Sequence, residues 1–179
     1  MNIFILSERP YIASHMHCDK HVPKMIVESA QLLSTGHRIL DGELYKAPSK
    51  SGKRIVNHYR LPKYDDIIYK AAYASHPCTQ WVMQSDLNYE YLFELFSGLL
   101  EEFQLRFGKA HKSTLLYDSL YCIPNNIPQT MEMTPFVLAM PDVCKTADAV
   151  QSYRNYYRMY KSEFAKWEKG RIAPKWWQQ

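Results

Sequence analysis

The segment from Leu87 to Phe107 constrains the fold more than any other stretch of the chain. Tyr89, Leu92, Phe93, Phe96, Leu99, Leu100, Phe103 and Phe107 recur at steps of three and four, which a helix gathers onto one wide apolar face. Asp86 stands where an N-cap belongs and Gly108 where a helix stops. The same period returns from Asp148 to Lys169 through Val150, Tyr153, Tyr157, Tyr160, Phe164 and Trp167, with Thr146 as the expected cap and Gly170 and Pro174 as the end. Met25, Ile26, Ser29, Leu32 and Leu33 mark an earlier helix that begins near Pro23 and that Gly36 is expected to stop.

Shorter helices are predicted near Asp65 to Ala74, Pro77 to Gln84 and Ser113 to Tyr121, with a strand at Asn2 to Leu6 and an irregular connection from Ile123 to Asp142. The fold expected is mainly α: a single-domain helical bundle over residues 1–179 with a short N-terminal strand. A chain of 179 residues can bury a sufficient core without disulfides or a structural metal. Its four cysteines form no CxxC pair, as reduced thiols would not. No run reaches the roughly 18 apolar residues that span a bilayer, and MNIFILSERP lacks a basic start, so the expectation is a soluble, cytoplasmic protein with no membrane partner.

Charge is unevenly spread. Lys46, Lys50, Lys53, Arg54, Arg60 and Lys63 follow one another with no acid between them, in a stretch read as a basic loop over about 46–63. Asp65 to Glu102 is acidic, and from Lys145 onward eight Lys and Arg face three acids, ending in a basic aromatic tail over about 166–179. Two basic segments brought to one side would attract phosphate. Aromatic residues make up 14% of the chain, a surplus that suits either stacking on bases or a tyrosine-rich core.

Four polar clusters bear chemistry. His17, Asp19, Lys20 and His21, followed by Lys24 and Glu28, combine acid, base and cation within two or three turns of chain. Their spacing matches no firm metal motif, and no metal or cofactor is implied. His76, Pro77 and Cys78 with Trp81 form a helix start whose dipole favours a neutral imidazole. Arg106, Lys109 and His111 surround Gly108 as an anion-binding turn would, without P-loop spacing. Arg154, Arg158 and Lys161 line up along a helix as phosphate-tracking cations, and Trp176 in the tail can clamp a base. The absence of GxSxG and GxGxxG places serine nucleophiles and dinucleotides low.

The strings HCDKH at 17–21, KMIVESAQLLSTGHR at 24–38, HPCTQW at 76–81, NYEYLFELF at 88–96, RFGKAHKS at 106–113, AMPD at 139–142 and YRNYY at 153–157 resemble a family of small proteins from large tailed phages, cyanophages among them, whose members are often labelled pyrimidine-dimer DNA glycosylase or endonuclease. The resemblance runs through nearly the whole chain and includes Asn88. It implies a small all-α enzyme of the infected bacterial cell, with DNA or a nucleotide as partner, a helical glutamate in the role Glu28 would fill, and a basic aromatic tail. In this chain Asn2 follows Met1, so the amine available at the start is that of a retained methionine rather than a processed threonine. Breaking an N-glycosidic bond develops positive charge on the sugar, which Glu28 or Asp19 would stabilise while His21, Lys24 or His76 protonates or holds the departing base. Two other classes fit the same residues: an enzyme acting on free or modified nucleotides, and a non-catalytic DNA-binding module.

Overall fold

The structure, a computed structural model, describes residues 1–49 and 51–178; Lys50 of the basic stretch and Gln179 at the end of the tail lie outside the described residues. It is mainly α. The helices are α1 (Pro10–Met16), α2 (His21–Asp41), α3 (Pro77–Met83), α4 (Asp86–Phe107), α5 (Tyr117–Tyr121) and α6 (Ala149–Lys161), and one hairpin, β1 (Glu43–Pro48) with β2 (Ile55–Arg60), follows α2. No helix among the described residues is long and apolar enough to cross a membrane.

The long apolar segment forms α4, which packs on α1, α2 and α3 and buries Leu92, Leu95, Phe96 and Leu99. Ser85 caps it, its hydroxyl accepting the Asn88 amide at 3.1 Å, and Gly108 ends it with φ +67°, a left-handed conformation that glycine adopts without strain. Gly98 on α4 lets α1 approach closely. A Cβ there would stand 2.6 Å from Ser14 Oγ and 3.0 Å from Ser14 Cβ. Helix propensity alone makes Gly98→Ala stabilising by about 1 kcal/mol, whereas overpacking costs about 1–3 kcal/mol. We expect the clash to win, with urea unfolding showing a net loss; a gain would mean that α1 yields.

The helix containing Met25 runs on through Gly36 to Asp41 instead of stopping there. Gly36 faces Val82 and Met83 of α3 at 3.9 and 3.7 Å, so it serves the close approach of two helices and not termination. Asn2 to Leu6 is not a strand. It is an unpaired buried segment, with Ile3, Phe4, Ile5 and Leu6 at most 4% exposed, covered by α6 tyrosines rather than by a neighbouring strand. The strands form instead within the basic stretch expected to be a loop, paired antiparallel from Glu43 opposite Arg60 to Pro48 opposite Ile55.

Residues 65–74 do not form the predicted helix. The buried Arg38 guanidinium takes their carbonyls, donating to Tyr69 O at 2.6 Å, Asp65 O at 3.1 Å and Ile68 O at 3.1 Å, besides Tyr59 O at 3.0 Å and Asp65 Oδ1 at 2.6 Å. Successive turns around one cation replace the helical ladder. At the other end α6 stops at Lys161, short of Lys169, because the following chain is drawn to Asp19: the Asp19 amide donates to Lys166 O at 2.9 Å and Asp19 Oδ2 accepts the Glu168 amide at 2.7 Å. Asp148, not Thr146, caps α6.

Much of the aromatic surplus is packing. Phe4 lies within 6 Å of the Tyr153, Tyr156 and Tyr157 rings, and Tyr153 and Tyr157 are fully buried.

Candidate functional site

The described chain begins against α2, where two of the predicted acid–base residues, Lys24 and Glu28, meet. Glu28 Oε2 accepts the Asn2 backbone amide at 2.8 Å, and Glu28 Oε1 lies 3.7 Å from Lys24 Nζ one turn earlier. The carboxylate is half-buried while the ammonium is exposed. Asn2 is fixed in turn: its Nδ2 donates to Ala139 O at 2.8 Å, and its Oδ1 accepts from the Ile3 amide at 2.8 Å and Tyr153 Oη at 3.1 Å. The Cys78 thiol also points at Asn2 Oδ1, 3.7 Å away, and burial raises it to about 11, so it stays protonated.

His76 faces the same corner. As the cap of α3 it accepts the Cys78 amide on Nδ1 at 3.2 Å, which leaves the proton on Nε2. Partial burial lowers its pKa, the nearby Met1 amine lowers it further, and Glu28 opposes them. The result is a neutral imidazole with one donor available, within electrostatic reach of the Glu28 carboxylate.

Tyr73, three residues before His76, has φ +54°, the only non-glycine residue with positive φ among those described. Its carbonyl accepts the His76 amide and Thr79 Oγ1, each at 2.9 Å, while its ring is 65% exposed. A bulky residue is held in a costly conformation with its aromatic face in solvent. Nothing in the YASHP string marks Tyr73 as different from the other tyrosines, since the strain arises from contacts with α3.

The remaining predicted residues are placed elsewhere. Asp19 and Arg106 belong to a buried ion network: Arg106 donates to Asp19 Oδ1 at 3.1 Å and to Glu102 Oε2 at 2.9 and 2.6 Å, and its Nη groups bind His17 O and His15 O at the end of α1. Arg171 clasps the other side of Glu102. Burial alone would raise the Glu102 carboxyl, but hydrogen bonds from Arg171 and Arg106 outweigh it and hold the group below its usual value. The network missed in the sequence is this one, whose members span residues 15 to 171.

His17 and His21 are core residues. His17 Nδ1 donates to Ala13 O at 2.8 Å, and His21 sits among Phe4, Tyr157 and Phe164 with ring centres 4.9–5.2 Å apart. Asn88 splints α4 to the irregular connection, bonding Trp81 O at 2.7 Å and the Thr134 hydroxyl at 2.6 Å, and Trp81 is itself buried. His111 caps the turn at Lys112–Leu116 by accepting the Ser113 amide. Arg154 donates to Leu6 O and Arg158 to Trp176 O, with both guanidiniums over the buried Trp176 ring. Lys161 lies 4.6 Å from the Tyr156 ring centre and Lys20 4.8 Å from that of Phe164. Lys109 is exposed. No cluster of three or more His, Cys, Asp or Glu side chains able to hold a metal occurs among the described residues.

The corner therefore holds a carboxylate positioned by a backbone amide, with the Lys24 ammonium 3.7 Å away and a neutral imidazole donor and the Met1 amine within electrostatic reach. Comparison of the chain with protein-family models, curated proteins and solved structures finds no match in any of the three.

Proposed function

We propose that the corner formed by Glu28, Lys24 and His76 is the active site of a DNA glycosylase-like enzyme that releases a damaged or modified pyrimidine, the activity that the phage-family resemblance implies. The observation that carries this reading is a fixed, half-buried carboxylate whose charge reaches a neutral imidazole with an Nε2 donor. As the C1′–N bond breaks, its electron pair leaves with the base as an anion, held by a hydrogen bond donated from His76 Nε2 and neutralised by the proton that Glu28 takes from the attacking water. Glu28 stabilises the cationic sugar and accepts a proton from the water that adds at C1′. Lys24 holds a neighbouring phosphate, and Tyr73 offers a stacking face to an extruded base.

The hairpin favours a duplex substrate. Lys46, Lys53, Arg54 and Arg60 are exposed, and none of them is in an ion pair among the described residues. A two-stranded ribbon fits the major groove, where such cations reach phosphates. One observation favours an enzyme acting on free or modified nucleotides instead: Arg106, Arg154, Arg158 and Trp176 are committed inside the fold, which shortens any surface for tracking DNA.

Assays of base release from ultraviolet-irradiated duplex, untreated duplex and pyrimidine mononucleotides separate the readings. A duplex glycosylase releases base from irradiated DNA only and binds duplex less tightly as salt rises. Tight mononucleotide binding with no release from DNA would reject it in favour of the nucleotide-acting enzyme.

A further inference from the structure

On α4, away from the Glu28 corner, two hollows of about 550 and 560 Å³ share Ser97 and Tyr117 and so form one groove along the helix. Glu90, Glu94, Ser97 and Glu101 succeed one another at steps of three and four on its floor and edge. From Glu90 to Leu105 the groove follows α4 for about 22 Å at 1.5 Å per residue. Its apolar wall is exposed: Tyr121 is 67% accessible and Leu105 60%. Phe93 packs against the Tyr117 and Tyr121 rings at 5.1 and 5.7 Å, which fixes that wall, while Tyr11 on the opposite side is steadied by donating to Glu101 at 3.1 Å.

Charge selects the occupant. Among the described residues three glutamates line the groove and no Lys, Arg or His does, on a chain whose net charge is +4. Nucleic acid is repelled there. A segment with apolar anchors on one side and Lys or Arg on the other finds both an aromatic floor and carboxylates, and its cations also meet tyrosine faces. We propose that this groove docks a basic amphipathic helix of a partner protein, about four turns long. The site is independent of base release.

The probe is a fluorescein-labelled amphipathic peptide of about 15 residues built from Leu and Lys, compared with its Leu and Glu counterpart by anisotropy. We expect the Lys peptide alone to bind, its Kd rising with salt and at least tenfold in Glu90→Lys/Glu94→Lys/Glu101→Lys. Ser97→Trp, which fills the waist of the groove, should weaken binding similarly while leaving the circular dichroism spectrum unchanged. Failure of the Lys peptide to bind at millimolar concentration, equal binding of both peptides, or insensitivity to these substitutions would overturn the proposal. So would sedimentation showing a dimer that Ser97→Trp dissociates, which would make the occupant a second copy of this chain.

Discussion

Glu102→Ala is expected to destabilise the protein by about 3–5 kcal/mol, because it removes one partner from a buried ion pair and strands the other. Glu102 is 1% exposed and Arg106 7%. Without the carboxylate, the Arg106 Nε loses its acceptor and one Nη group keeps only His15 O, and Asp19 is left to neutralise a guanidinium that faces it through the other Nη at 3.1 Å. Arg171, which anchors the tail, loses its acceptor too. For a chain of this size each kcal/mol is about 2–4 °C in Tm, so the melting temperature should fall by roughly 6–20 °C. The exposed Glu94→Gln should move it by at most about 0.5 kcal/mol. A loss below about 1 kcal/mol in Glu102→Ala would show that the pairing contributes little beyond its desolvation cost.

The second large effect is acid sensitivity well above the range in which carboxylates titrate. Burial lowers His17 and His37 to about 4 each, and His21, buried among aromatic rings and near His17, falls further still. In the unfolded chain these imidazoles titrate near 6.5, so below that pH the unfolded state binds more protons than the folded one. The stability they contribute is complete above pH 6.5 and is lost as pH falls through the folded values. For His17 and His37 the full loss is about 3 kcal/mol each, and together it rivals the net stability of an ordinary domain. Glu102 and Asp65, both held low by arginine partners, add their own loss as pH falls through the usual carboxylate range and below it. Unfolding should therefore begin between pH 6.5 and 4 in urea titrations, and His21→Phe should flatten the slope by one proton. Constant stability from pH 7 to 5 would contradict this.

The parts of the fold visible in the sequence are those fixed by local pattern. α4 and its glycine end were legible because one helix face and one left-handed residue decide them. The turns at 61–69 were not, since their conformation answers to Arg38, which lies more than twenty residues earlier and collects carbonyls that no periodicity announces. Gly36 misleads for a related reason: a glycine that stops a helix and one that admits a neighbouring helix look alike until Val82 and Met83 are in place. For the candidate site, residue type marked Glu28, Lys24 and His76, whose neighbourhood keeps them accessible. The same reasoning selected His21, Arg106 and Arg154, whose chemistry is consumed by the core, and passed over Tyr73, distinguished only by its backbone.

The most direct measurement of the account is base release from irradiated duplex DNA by the protein and by Glu28→Gln, with melting temperatures recorded for both. Glutamine keeps the shape and can still accept the Asn2 amide, but it cannot stabilise a cationic sugar by charge. We expect the fold to persist and release to fall at least about a hundredfold, the scale of a lost acid–base or electrostatic group. Undiminished release by a folded Glu28→Gln, or none from the unaltered protein, would contradict the assignment of this corner as the active site of a glycosylase.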